Sequence, residues 1–280
     1  MKTSNKLLIT LGLLMIIIPI LVTAVTVKLY YQPAPPSTYL ERQQINNESF
    51  DQKSSGRVAM GIKVPFKKVN FSDARNLFIS LHLTKSTSTG IKIPSYAKDR
   101  ITFEVTNGVL NISILENFST GRPLDIVIYS PTFETLDISN AFLFELTTEL
   151  IDSLTVNANN TGNLTLGGAI TNFNNKGEVI SSINDTKINN LHINLNKSTF
   201  QVNAHSFENL SINCLKNSKI EINGDDSIGD TYHIKNLKLN TADTADVILK
   251  NMKIDVITGK ISDDTKIQMP NKYLKQLLIK

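Results

Sequence analysis

Four histidines (His82, His192, His205 and His233), one cysteine (Cys214) and three acids between positions 225 and 230 are the side chains best equipped for chemistry. The histidines stand far apart. None makes the His-x-His or His-Glu-x-x-His spacing that brings two imidazoles onto one zinc ion. Cys214 sits in apolar company with Leu215 and has no neighbour in sequence that would lower a thiol pKa. It reads as a buried structural thiol, and as a lone cysteine it excludes an intramolecular disulfide. The loop from Asn223 to Asp230 carries Asp225, Asp226 and Asp230 among glycines, and carboxylates in such a loop offer the oxygen ligands that calcium takes. Counted from Asn223, however, Ile228 falls where an EF-hand needs glycine, so a solvated loop is the first expectation and calcium the weaker alternative. Asp263 and Asp264 read as a turn. No nucleophile elbow and no phosphate-cradling glycine loop occurs. The expected catalytic and cofactor residues are therefore none.

What would position any site is a repeat. Thr135-Leu136-Asp137-Ile138-Ser139 returns as Ser153-Leu154-Thr155-Val156-Asn157, then as phrases starting at Asn190, Asn209 and Asn236. The starts lie 18, 37, 19 and 27 residues apart, which reads as one step, two steps, one step, and one step with an insertion. The skipped step falls on 172–176, with Phe173 in the leucine place, and reads as a degenerate rung. Asn251 to Asp255 reads as the last full one. About ten residues after each phrase comes a second apolar pair: Leu164/Leu166, Phe200/Val202, Ile220/Ile222 and Val247/Leu249. Two short strands per period suit a coil whose rungs stack strand on strand around an apolar column. The expected fold is all-β, a right-handed parallel β-helix. Its rivals are a left-handed β-helix and a β-sandwich. Asn157, Asn194, Asn213 and Asn240 end four phrases, and are expected to form a structural column at a left-handed corner, each amide bonding to its neighbour, with a polar stripe that binds a ligand as the alternative.

Before the repeats, Ile101–Val105, Leu110–Ile114 and Leu124–Ile128 alternate with the period of strands, and Asn107-Gly108 signals a hairpin turn. Residues 58–131 thus read as a β entry region, and 132–280 as the solenoid, with Tyr273 to Lys280 as its C-terminal cap.

The N-terminus supplies an address. Residues 7–27 carry no charge, with Lys2 and Lys6 before them and Lys28 after. Twenty-one residues at ~1.5 Å each would span the ~30 Å hydrocarbon core of a bilayer. An uncleaved anchor is expected on length; a cleaved signal peptide ending near Val22-Thr23-Ala24 is the alternative. Either way residues 1–6 stay cytoplasmic and the rest is exported. Residues 28–57 read as a linker that opens with a proline-rich spacer. The formal charge of +4 owes much to Lys2, Lys6 and Lys28, and no basic stripe with interleaved aromatics appears, so nucleic acid is not an expected partner.

Three stretches carry a family resemblance: the Met1-Lys2-Thr3-Ser4-Asn5-Lys6-Leu7-Leu8 opening, the strand Val109–Ile114, and the lead-in Pro131–Ser139 to the repeats. Over roughly Val58 to Lys260 the chain resembles the autotransporter-adhesin family with a head GIN domain, found in Gram-negative envelopes. Its corners carry Asn where that family has Gly-Ser, and no Gly-Ile-Asn tripeptide occurs. The resemblance implies an exported β-helical domain.

The expected function is a non-enzymatic, membrane-anchored, adhesin-like module that meets glycan, cell wall or another envelope protein. The alternative is a periplasmic sensor or scaffold subunit. A carbohydrate-active enzyme ranks third, because Asp137, Thr155, His192, Ser211 and Lys238, the outward phrase positions, give no acidic pair on adjacent rungs.

Overall fold

The computed structural model describes residues 3–30, 48–167, 169–173, 179–184, 186–224 and 232–278. The chain divides into two compact units, Met1–Asn47 and Glu48–Lys280. The first contains helix α1, Thr3–Tyr30, with Pro19 inside it. Its side chains are described continuously only over 11–23, all of them exposed. Among the described residues no helix is long and apolar enough to cross a membrane, and the expected span at 7–27 extends beyond those side chains.

The second unit starts at Glu48, ten residues earlier than composition suggested. Its first strands are β1 (Arg57–Gly61), β2 (Lys68–Phe71), β3 (Phe78–Lys85), β4 (Gly90–Pro94), β5 (Ile101–Thr106), β6 (Val109–Ile114) and β7 (Leu124–Ser130). Then come β8 (Thr135–Ser139), β9 (Leu143–Thr148), β10 (Ile151–Asn159), β11 (Asn163–Leu166), β12 (Ala169–Phe173), β13 (Val179–Asn184) and β14 (Ile188–Asn196). The last are β15 (Thr199–Asn203), β16 (Phe207–Leu215), β17 (Ser218–Asn223), β18 (His233–Thr241), β19 (Ala245–Lys250), β20 (Lys253–Lys260) and β21 (Thr265–Gln268), followed by helix α2 (Asn271–Leu278).

Among its described residues the unit is all-β apart from α2 and one short 3₁₀ turn, Ser95–Ala97. It has two large sheets, neither closed into a barrel. One has ten strands in the order β1-β4-β7-β3-β9-β11-β15-β17-β19-β21, and the other nine in the order β20-β18-β16-β14-β10-β8-β2-β6-β5. From β8 onward the chain visits the sheets by turns, so each strand lies parallel to its counterpart one repeat away. Leu154, Leu191, Leu210 and Leu237 stand in register across β10, β14, β16 and β18. Leu164, Phe200, Ile220 and Val247 do so across β11, β15, β17 and β19. All eight are buried. The alternating sequence produces this directly, since in a strand every second side chain faces the same way. Burying each such side chain contributes roughly 1.5–3 kcal/mol.

Corners stack as well. Asn140, Asn160 and Lys197 adopt left-handed backbone at φ of 58°, 50° and 50°. Each donates its N–H to a carbonyl of the next repeat: Asn159 at 3.0 Å, Asn196 at 2.9 Å and Lys216 at 2.9 Å. Asn pays little for this conformation. At the expected hairpin, Asn107 and Gly108 both have positive φ between the antiparallel β5 and β6, the geometry a two-residue primed turn requires.

Four details depart from the sequence reading. The 37-residue step is a single step: β10 pairs directly with β14, and β12 with β13 form a separate antiparallel hairpin, so Phe173 belongs to an excursion rather than a degenerate rung. At the first repeat the register is two residues further on, with Leu136 opposite Val156 rather than Leu154. A slip of two leaves every side chain on its own face, which is why the apolar pattern could not reveal it. In the last repeat it is Ile257, not Met252 or Ile254, that aligns with Leu237, and Gly259 takes the place opposite Leu239. A Cβ at Gly259 would lie 1.7 Å from the Leu239 carbonyl oxygen. Finally, the entry region is not separate from the repeats. β2 lies between β6 and β8, and β3 between β7 and β9, inside the same two sheets.

Candidate binding face

The outer face of the nine-stranded sheet is built from the residues between the buried ones. Four columns cross it. Ser153, Asn190, Asn209 and Asn236 form the first; Thr155, His192, Ser211 and Lys238 the second; Asn157, Asn194, Asn213 and Asn240 the third; and Asn159, Asn196 and Leu215 the fourth. Adjacent strands lie ~4.8 Å apart, so identical amides come within hydrogen-bond reach of one another.

They bond in one direction. Asn240 Nδ2 donates to Asn213 Oδ1 at 2.8 Å, Asn213 to Asn194 at 2.8 Å, Asn194 to Asn157 at 2.7 Å, and Asn157 to Asp137 Oδ1 at 2.6 Å. In the first column Asn236 donates to Asn209 at 2.9 Å and Asn209 to Asn190 at 2.6 Å. Asn190 in turn donates to the Asp152 carbonyl at 3.0 Å. Asn196 donates to Asn159 at 2.8 Å in the fourth. Each amide carries two donors and two acceptor lone pairs, and the ladder uses one of each. In the first and third columns the amides are exposed or half-buried, whereas Asn196 Oδ1 in the fourth is buried without a partner among the described residues.

Sequence reasoning found the third column and assigned it to a corner. The four residues lie inside strands, and the positive-φ positions are others, Asn140, Asn160 and Lys197 among them. It missed the first and fourth columns, although Asn190, Asn209 and Asn236 open three phrases. Asp137, expected beside Thr155, instead ends the third column, because of the two-residue register difference. His192 is exposed in the second column, between Thr155 and Ser211. Asp225, Asp226 and Asp230 lie outside the described residues. Asp264 is in the expected turn, its N–H donating to Ser262 Oγ at 3.4 Å.

Of the other candidate residues, Cys214, His205 and His82 are inside. Cys214 stands in register between Leu195 and Thr241, and burial pushes its thiol up to about 12. His205 is buried, with Nδ1 2.6 Å from the Asn203 carbonyl and its ring stacked on Phe207. Desolvation pulls its pKa down to about 4, against the opposing pull of the Asn203 and Gly167 carbonyls. His82 is buried on β3, in register with Val127 and Thr147. His233 pairs with Asp255 at 2.8 Å. Among the described residues no three His, Cys, Asp or Glu side chains gather as metal ligands would.

One buried charge was invisible in the sequence. Lys92, 1% exposed, pairs with Glu48, 7% exposed, at 2.7 Å. Its ammonium also donates to the carbonyls of Ser49 and Gln52 at 2.8 and 2.7 Å. Tyr129 Oη donates to the Glu48 carbonyl at 3.0 Å, and Phe50 meets the Tyr129 ring edge-on at 5.4 Å. Burial and the Glu48 charge push the Tyr129 phenol up to about 12. These contacts strap residues 48–54 across β4 and β7, which is why the folded unit begins at Glu48.

Solved structures of similar shape include a "putative adhesin" from Parabacteroides distasonis, at 13% identity and TM-score 0.47, covering 73% of this chain and 77% of that one. Another is a "putative adhesin" from Parabacteroides merdae, at 13% identity and TM-score 0.46, covering 73% and 76%. A third is a "putative lipid binding protein" from Parabacteroides distasonis, at 12% identity and TM-score 0.33, covering 77% and 94%. No curated protein matches the sequence. The family model described as "Putative auto-transporter adhesin, head GIN domain" matches residues 65–231, more than half of the chain, and the chain belongs to that family.

Proposed function

We propose that this chain is a non-enzymatic, adhesin-like envelope protein whose two sheets are walls of a right-handed parallel β-solenoid, and whose amide face docks a hydroxyl-rich polymer. The observation that carries the reading is the set of amide columns on one outer face, joined to one another by a single donor and a single acceptor each, so that a primary amide has one of each to spare. A glycan chain presents hydroxyls at regular intervals, and an evenly spaced array of neutral donors and acceptors matches such a partner better than it matches a compact ligand. Residues 7–27 would anchor the chain in the inner membrane, with the Glu48–Lys280 unit exported.

Binding of the full chain, in detergent, to a panel of insoluble neutral polysaccharides tests the docking. Thr155→Arg and Ser211→Arg would obstruct the face without touching the amide ladders, and should abolish capture. Capture unchanged by both would reject this face. Protease treatment of intact cells carrying a C-terminal tag tests the address. Cleavage places the unit at the surface. Protection until the outer membrane is breached, with the full-length band in the membrane fraction, places it in the periplasm as an anchored protein.

A further inference from the structure

Charge is not spread evenly over the amide face. Its early strands carry acids, Asp137 on β8 and Asp152 on β10, while β14 has no Asp, Glu, Lys or Arg. The last two strands are basic, with Lys235 and Lys238 on β18 and Lys253 and Lys260 on β20. Local partners use up part of this charge: Lys235 pairs with Glu208 at 3.1 Å, while on β20 itself Asp255 stands between Lys253 and Lys260, its carboxylate 2.8 Å from His233 Nε2. Lys238, Lys253 and Lys260 are exposed and have no ion pair among the described residues.

The ladder itself does not account for them. A column of amides that all donate toward β8 leaves carbonyl oxygen at its other end, where a cation would be favourable for the same reason that cations favour a helix C-terminus. That end is already filled: the backbone N–H of Lys260 donates to Asn240 Oδ1 at 3.2 Å. The Lys260 ammonium is left over. Lys238 stands opposite Thr258, two residues from Lys260, and Lys253 lies seven residues before Lys260 on the same strand. At ~3.3 Å per residue the three span roughly 23 Å across the face.

We propose that the C-terminal end of this face binds an anionic polysaccharide, one whose repeating carboxylates meet Lys238, Lys253 and Lys260 while its hydroxyls meet the adjoining Asn columns. The inference rests on the glycan-docking reading above and names the class of glycan. Three cations over such a span suit a linear polyanion better than a compact one, and the adjoining amides of Asn209, Asn236 and Asn240, exposed or half-buried, would supply the neutral contacts that a bare lysine patch would lack.

Alginate, a linear polyuronate, is the probe, with the full chain in detergent and dextran as the neutral polymer. The wild type should bind alginate, more weakly as salt rises. The triple variant Lys238→Gln/Lys253→Gln/Lys260→Gln should bind about tenfold more weakly, the loss that removal of a few exposed charge contacts can produce. A control, Lys197→Gln/Lys216→Gln/Lys250→Gln, removes equal charge elsewhere and should bind as the wild type does. Equal loss in the two triples would reduce the effect to net charge and overturn the proposal. Alginate ignored while dextran is held, and released by Ser211→Arg, would overturn it but leave the docking face standing. Neither polymer held would sink both. Capture by phosphatidylglycerol vesicles, lost in the triple variant while alginate is ignored, would assign the lysines to a membrane surface instead and overturn the proposal.

Discussion

Asn157 Nδ2 donates to the Asp137 carboxylate at 2.6 Å, and so ends a run of four amide bonds on an acceptor that has no proton to pass on when ionised. Every amide behind it points the same way. The carboxylate suits the positive end of aligned dipoles, as an acid suits the first turn of a helix.

That relationship makes the column position-sensitive. Asn213→Asp would put a second carboxylate in mid-column, able to accept from Asn240 but facing the Asn194 carbonyl oxygen with no N–H to offer. It should cost about 1–3 kcal/mol, as a half-buried polar group without a partner does. Asp137→Asn keeps an acceptor for Asn157 and should cost under about 1 kcal/mol. Urea denaturation measures both; equal costs would mean the direction of the ladder is unimportant.

The strap makes a different prediction. Glu48→Gln leaves the Lys92 ammonium buried without its counter-charge and should destabilise by about 3–5 kcal/mol. Lys92→Met in the same chain removes the ammonium that needs compensation. The double variant should then regain much of the loss, which a double-mutant cycle reports as coupling. Additive losses would show that the pair is not the unit of stability.

His205 makes folding sensitive to acid. Its pKa is about 4 in the fold and ~6.5 in an unfolded chain, so between those values the unfolded chain holds the extra proton. Its contribution is complete above pH ~6.5 and falls away as pH drops toward 4, by about 3 kcal/mol in all. Comparing wild type with His205→Asn at a series of pH values isolates this residue. Parallel curves would show that His205 does not titrate between the states.

Cys214 offers a chemical readout. With its thiol pushed up to about 12 and buried, iodoacetamide should leave it unmodified in the folded protein at mildly alkaline pH and label it readily in urea. Prompt labelling without denaturant would place Cys214 at an accessible surface.

At the far end, Tyr273 Oη accepts from the Ile254 N–H at 2.9 Å and donates to the Met252 carbonyl at 2.8 Å, while Gln276 Oε1 accepts from the Ile257 N–H at 3.0 Å. Helix α2 thus covers the outer edge of β20, a row of groups that would otherwise pair with another chain. Tyr273→Phe should cost about 1–3 kcal/mol and raise the tendency to self-associate, seen by light scattering. A stable, monodisperse variant would deny the helix that role.

How far the sequence could be read follows from what each signal encodes. Alternation at Leu154/Val156 and Leu164/Leu166 records which face is buried, so strands, inner columns and the Asn107-Gly108 turn were legible. Alternation does not record register to better than two residues, so Asp137 was put in the wrong column. Nor does it tell a repeat from a hairpin of similar composition, and Phe173 was miscounted for that reason. The strap was hidden because its polar sequence looks like linker. Its order comes from Lys92, forty-four residues after Glu48. The family was recognisable from the strand at Val109–Ile114 and the lead-in at Pro131–Ser139, both of which fall in the matched region.

The one-way ladder also bears on the order of assembly. A chain is made from its N-terminus, so when β14, β16 and β18 appear, each brings amide donors to acceptors that the preceding strand already holds in place. The growing end is always a template for the next repeat, and the closing Lys260 N–H arrives last to shut it. Polymerisation of this vectorial kind needs no search among distant partners. It would let the face take shape strand by strand, before the C-terminal residues have been added.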